Sequence, residues 1–175
     1  MNFFEFFGLK TDPVLDQAAL AARYRERQQQ YHPDVGGFDA AEALQLSTLV
    51  NQAYDTLRLP DRRAAHLLAL HGQAHGLEQS IHDMDFLQNA IELREQLDEV
   101  RSAIELVSLR LELQQWLEAL CREFQIDWME QDWAEARDTA RKLAFIQKVL
   151  ADLDRIEDRF DDLDDQLADD FNDDF

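Results

Sequence analysis

Tyr31-His32-Pro33-Asp34, followed at once by Val35-Gly36-Gly37, separates two long helical patterns near the start of the chain. Pro33 has no backbone N–H and its ring clashes with the turn behind it, so it ends a helix. It also pushes His32 out of the α region. The stretch reads as a rigid corner with His32 and Asp34 turned to solvent. Upstream, Asp16 suits the N-cap of a helix running to about Tyr31, with Leu20, Tyr24 and Tyr31 on one arc. Downstream, a helix begins near Asp39 or Ala40 and turns Leu46, Leu49, Ala53, Tyr54 and Leu57 inward. Shorter helices flank this pair: Phe3 to Phe7, closed by Gly8, and Asp61 to Leu70, opened by Pro60 and closed by Gly72.

Composition sets the limits around that corner. The 175 residues are 46% hydrophobic, with only 5 Gly and 3 Pro, which predicts an all-α chain with few tight turns. A net charge of −20 argues against nucleic acid, whose phosphates call for Lys and Arg. A single cysteine, Cys121, excludes an intramolecular disulfide and a cysteine-based zinc site. Glu5 interrupts the phenylalanines at the start, and no apolar run of about 18 residues follows, so no membrane segment is expected. The plain reading is cytoplasmic. The charge is uneven: residues 1–72 hold 7 Lys/Arg against 9 Asp/Glu, residues 73–150 hold 8 against 16, and residues 151–175 hold 2 against 12. Two domains with separate electrostatic tasks fit that distribution.

Beyond a polar linker at residues 73–83, three amphipathic patterns predict an antiparallel three-helix bundle over residues 84–167, then an acidic tail at 168–175. The first places Phe86, Ala90, Leu93, Leu97 and Val100 on a seam. The second repeats Leu106, Leu109, Leu113, Trp116, Leu120 and Phe124. The third turns Trp133, Ala136, Ala140, Leu143, Ile146, Leu150, Leu153, Phe160 and Leu163 inward. Carboxylates at its C-terminal end oppose the helix dipole, so the tail is expected to unwind.

The seam leaves some residues over. Leu87 and Ile91 form a second apolar strip beside Phe86 and Ala90, edged by Glu92, Glu95 and Glu99. Phe145 falls about 200° from Leu143, away from the core. Such a strip has the character of a partner-binding face, although a three-helix core is wide enough to cover it. His66, His71, His75 and His82 read as linker or surface residues, and no metal site is expected.

Phe-Phe-Gly-Leu, an amphipathic helix, Tyr31-His32-Pro33-Asp34, Asn51-Gln52-Ala53-Tyr54, Leu57 and Pro60, in that order, resemble a J-domain over residues 1–72. J-domains stimulate ATP hydrolysis by DnaK-type chaperones. The resemblance implies that His32, Pro33 and Asp34 make the essential contact, helped by positive charge at Arg23, Arg25 and Arg27. Arg27 stands where the family usually has an apolar residue; its stem should pack on the core edge with the guanidinium reaching out. With Gln28, Gln29, Gln30 and Val35 neutral, the positive patch is thinner than the family's.

With the acidic bundle added, the chain resembles the HscB family, J-type co-chaperones of iron–sulfur cluster biogenesis. The likeness rests on Phe86-Leu87, on Ile91-Glu92-Leu93-Arg94-Glu95-Gln96-Leu97-Asp98-Glu99, and on Arg141-Lys142-Leu143-Ala144-Phe145. Lacking a cysteine-rich zinc extension, it resembles the bacterial form. The resemblance implies two partners: the cluster scaffold IscU, at Leu87, Gln88, Ile91, Glu92, Glu95, Glu99 and Phe145, and the chaperone HscA at the corner. It implies no cofactor and no enzymatic chemistry. Two alternatives stay open: a J-protein with another client, and a carboxylate-rich bundle that binds metal.

Overall fold

The computed structural model describes residues 1–31, 37 and 39–172, with side chains through Phe160 except that of Ala40. The corner at His32, Pro33 and Asp34 lies outside the described residues. The described chain is helical, with no strand: α1 (Phe3–Phe6), α2 (Gln17–Gln30), α3 (Ala40–Arg58), α4 (Pro60–Leu70), α5 (Met84–Glu99), α6 (Ala103–Glu130) and α7 (Trp133–Asn172). It divides into two compact units, one of Met1–Gln79 with Cys121–Arg141, the other of Ser80–Leu120 with Lys142–Phe175.

In the first unit, α3 packs against α1, α2 and α4. Asp16 and Asp39 cap α2 and α3 as their positions predict, each accepting two N–H groups of the first turn. The buried face of α3 keeps the expected Ala53 and Leu57 and adds two positions that the pattern passed over. Ala43, Val50, Ala53 and Leu57 are buried, while Leu46 and Leu49 are only half-buried. The reason is that α3 meets three helices, and α1 and α4 reach positions that a two-helix seam would leave in water. Tyr24 stacks on Tyr54 at 4.1 Å and donates to Asn51 Oδ1 at 2.9 Å, tying α2 to α3.

Arg63 closes the far end of this unit. It is 8% exposed, and its guanidinium donates to the carbonyls of Leu57 (2.7 Å) and Pro13 (3.1 Å). Burial holds its pKa below the usual arginine value. The fork satisfies the loop before α2 and the end of α3 together. Arg63→Met leaves both carbonyls without that donor and should destabilise the protein by about 2–4 kcal/mol. A shift of the urea midpoint at unchanged slope reads this out, and a midpoint equal to wild type contradicts it.

His66, expected at the surface, is half-buried and has a structural task. Asn2 caps α1 by accepting from the N–H groups of Phe4 and Glu5, and the N–H of Phe3 donates to His66 Nε2 at 3.2 Å. The imidazole stacks on Phe3 at 4.6 Å. Sequence spacing could not reveal this, because 63 residues separate donor and acceptor. Burial, then the nearby N-terminal ammonium, lowers the His66 pKa from 6.5. Only the neutral ring can accept at Nε2, so the contribution is complete above pH 6.5 and is lost as pH falls through the depressed native pKa. His66→Phe keeps a stacking ring and loses the acceptor. The stability gap between wild type and this variant should therefore close as pH drops from 7.5 towards 5 (roughly one histidine titration); a gap independent of pH contradicts the assignment.

The rest of the first unit is the turn between α6 and α7. His71, also expected as an ordinary linker residue, lies edge-on to Trp128 at 4.6 Å and against Trp133 at 5.7 Å. Arg137 donates to Gln73 Oε1 at 3.2 Å and Arg141 to the Gly76 carbonyl at 2.9 Å. Residues 73–76, read from sequence as linker, are thus fastened to α7. Asp127 is buried and accepts from Thr139 Oγ1 at 2.8 Å; burial raises its pKa, with Glu123 and other carboxylates adding to the effect.

The second unit holds α5 with residues 103–120 of α6 and the part of α7 from residue 142 onward. All five expected α5 positions, from Phe86 to Val100, are buried. So are Leu106, Leu109, Leu113, Leu143, Ile146 and Leu153. Val149 is fully buried although the reading passed over it, whereas Trp116, Leu150 and Phe160 are half-buried. Leu163 lies outside the described side chains. The backbone of α7 stays helical to Asn172, against the expected unwinding. Extending a formed helix is cheap, and Leu, Ala and Gln in this stretch favour it more than the dipole term opposes it.

Candidate functional site

The start of α5 is pinned first. Asp83 accepts from the N–H of Phe86 at 3.0 Å and pairs with the buried Lys142 amine of α7 at 2.8 Å. These contacts, the Lys142 hydrogen bond foremost, hold the Asp83 carboxyl below the usual carboxylate range. The Lys142 amine also stands 5.8 Å from the centre of the Phe86 ring. Phe86 is inserted between α6 and α7, tilted against Trp116 at 5.8 Å and edge-on to Phe145 at 5.8 Å.

With Phe86 inside, its neighbours must point outward. Leu87 is half-buried and Ile91 is 59% exposed, and Gln88, Glu92, Glu95 and Glu99 are all exposed. Phe145, expected away from the core, is half-buried on the α7 flank of α5. A helix touching two neighbours buries a wider arc than a single seam, which is why a position 200° from Leu143 still finds cover (at about 100° per residue). Arg94, one turn beyond Ile91, lies over the Phe145 ring at 5.7 Å and is held there by Asp152 at 2.8 Å. The order around the outer side of α5 is therefore Phe145 and Arg94, then Leu87 and Ile91, then Gln88 and Glu95, then Glu92 and Glu99. The site residues predicted in this region share one continuous face. Arg94 belongs to it as well; its spacing of three from Ile91 was the available signal.

This face offers apolar contact at one edge and negative charge at the other. Among the described residues no group of His, Cys, Asp and Glu is placed to hold a metal ion. No helix among them is long and apolar enough to cross a membrane.

The three arginines of α2 are placed differently from one another. Arg23 is exposed and pairs with Glu26 at 2.9 Å, and Arg25 is exposed and donates to the Ala21 carbonyl. Arg27 departs from the expectation that its guanidinium reaches into solvent. It donates to the Phe6 carbonyl at 3.0 Å, lies over the Phe6 ring at 5.3 Å and reaches Gln30 and Tyr31. The carbonyl at the end of α1 and an aromatic face together attract it more than water does.

Comparison with known proteins agrees with this architecture. The profile of the HSCB C-terminal oligomerisation domain matches residues 82–154. The chain is 55% identical over 158 residues to a co-chaperone protein HscB homologue of Acinetobacter baumannii, covering 90% of this chain and 91% of that one. The homologue of Acinetobacter baylyi is 51% identical over the same length, covering 90% and 92%. The chaperone HscB from Vibrio cholerae superposes with a TM-score of 0.72 at 33% identity, over 91% of this chain and 99% of that one. The human co-chaperone HscB shares the fold, with a TM-score of 0.75 at 24% identity over 90% and 82%. An N-terminal J-domain followed by a helical C-terminal domain, with identity above half along nine-tenths of the sequence, places this chain in the HscB family of co-chaperones.

Proposed function

We propose that the chain is a two-ended adaptor of iron–sulfur protein maturation in the cytoplasm. One end, the face of Leu87, Gln88, Ile91, Glu92, Glu95, Glu99 and Phe145, holds the cluster scaffold IscU. The other, His32-Pro33-Asp34 with Arg23, Arg25 and Arg27 behind it, engages the DnaK-type chaperone HscA and stimulates its ATPase. By function the division is residues 1–72 for the chaperone and 84–167 for the scaffold.

The observation that carries this reading is the α5 face itself: an exposed Ile91 and a half-exposed Leu87 and Phe145, bordered by carboxylates. Desolvating those three side chains supplies affinity, and the acids select a partner with basic residues at matching positions. Exposed Arg23 and Arg25 give the other end the sign that draws an acidic surface, and the Asp34 carboxylate has the chemistry to pair with an arginine of the chaperone. Arg27, turned onto Phe6, contributes there mainly by joining α2 to α1. Holding client and trigger in one chain raises the local concentration of scaffold at the chaperone.

Leu87→Ala combined with Phe145→Ala should weaken IscU binding about a hundredfold (roughly 2.7 kcal/mol) and leave helical content unchanged. Isothermal titration with circular dichroism checks both. Wild-type affinity in the double variant would falsify the assignment of this face.

A further inference from the structure

The strip on α5 has two flanks, and only the α7 flank, with Phe145, is assigned above. On the other, the end of α5 and the start of α6 enclose a groove of about 360 Å³, walled in part by Glu99, Val100, Ile104, Glu105, Leu109 and Glu112. Val100 and Leu109 are buried and give the groove an apolar floor. At its rim Ile104 is 81% exposed, and Val107 and Leu111, farther along the same side of α6, are 64% and 57% exposed. Three large apolar side chains on one outer face is more than scattered surface hydrophobicity produces.

The carboxylates in the walls are not equivalent. Glu105 accepts from the N–H groups of Arg101 (2.7 Å) and Ser102 (3.1 Å), while Ser102 Oγ accepts from the N–H of Glu105 (3.3 Å). That reciprocal arrangement caps α6 and occupies the Glu105 carboxylate. Glu99 and Glu112 make no ion pair with any described residue. Exposed aliphatic surface beside two uncommitted negative charges suits the stem and charged end of a lysine or arginine. A second copy of the chain suits it poorly: a two-fold interface would set these acids against their own kind, on a chain of net charge −20.

We propose that this groove receives a Lys- or Arg-bearing apolar segment of the same partner that α5 holds. The docking surface then runs from Phe145 across Leu87 and Ile91 to Ile104, with Glu99 common to both parts. Ile104 and Val107 supply apolar contact, and Glu99 and Glu112 receive the cation. The proposal rests on the reading that α5 binds the scaffold, and its test is built to separate the two.

Purified IscU is titrated against wild type, Ile104→Gln, Glu112→Gln and the Leu87→Ala/Phe145→Ala double variant, at low and high salt, with circular dichroism confirming the fold. Each α6 variant should bind about tenfold more weakly than wild type, and Glu112→Gln should flatten the salt dependence. Should Ile104→Gln lose helical signal, Val107→Gln reads the same face. Wild-type affinity in the α6 variants, with binding lost in the double variant, overturns the groove and leaves the α5 reading standing. Wild-type affinity in every variant overturns both. Sedimentation equilibrium of the protein alone is expected to give a monomer; a dimer that Ile104→Gln dissociates would overturn the choice of occupant in favour of a second copy.

Discussion

The ring of Phe86 fixes the rotation of α5, and the candidate site follows from that rotation. Trp116, Phe145 and the Lys142 amine surround the ring at 5.8 Å each. A helix can bury only one side, so placing Phe86 inside commits Leu87, about 100° further round, and Ile91 to the outer side. The same ring seats Phe145 beside α5, where Arg94 covers it. The pairing of Asp83 with Lys142 keeps the first turn in register. Rotating α5 by one residue would exchange an apolar face for an acidic one, so the anchor is as much part of the candidate site as the residues it exposes.

Charge is the second organising constraint. The acids are concentrated after residue 72, and on α5 they border the apolar strip without entering it. Arg110 pairs with Asp154 and Glu157 and so joins α6 to α7 at partly exposed positions, where an ion pair contributes little to stability. Glu99 and Glu112, like Glu92 and Glu95, make no ion pair with any described residue and are open to a basic partner.

Much of this was legible in the sequence, for identifiable reasons. Caps at Asp16 and Asp39, glycine at Gly8 and Gly72 with φ of 65° and 69°, and the a/d seam of α5 are local signals, and each produced the predicted element. The strip of Leu87 and Ile91 was legible because it is what remains when that seam is removed. Contacts between distant segments were hidden. No spacing rule links Phe3 to His66, Arg63 to Pro13, or Gly76 to Arg141, and so His66 and residues 73–76 passed as surface and linker. Arg27 was misjudged because a long cation near a helix end can turn to solvent or to a free carbonyl, and only the packing of α1 decides between them. Val149 and Val50 were missed because helices with more than one neighbour bury wider arcs than a single seam predicts.

The central claim is that chaperone and client ends act within one chain. His32→Gln removes one end and Leu87→Ala/Phe145→Ala the other, so an equimolar mixture of these two variants contains both functions but never in the same molecule. The measurement is the rate of ATP hydrolysis by HscA with IscU present, using wild type or that mixture at low concentration. The account predicts that the additional stimulation produced by scaffold with wild type is lost in the mixture, because tethering acts only in cis. Scaffold-dependent stimulation by the mixture equal to that by wild type would contradict it.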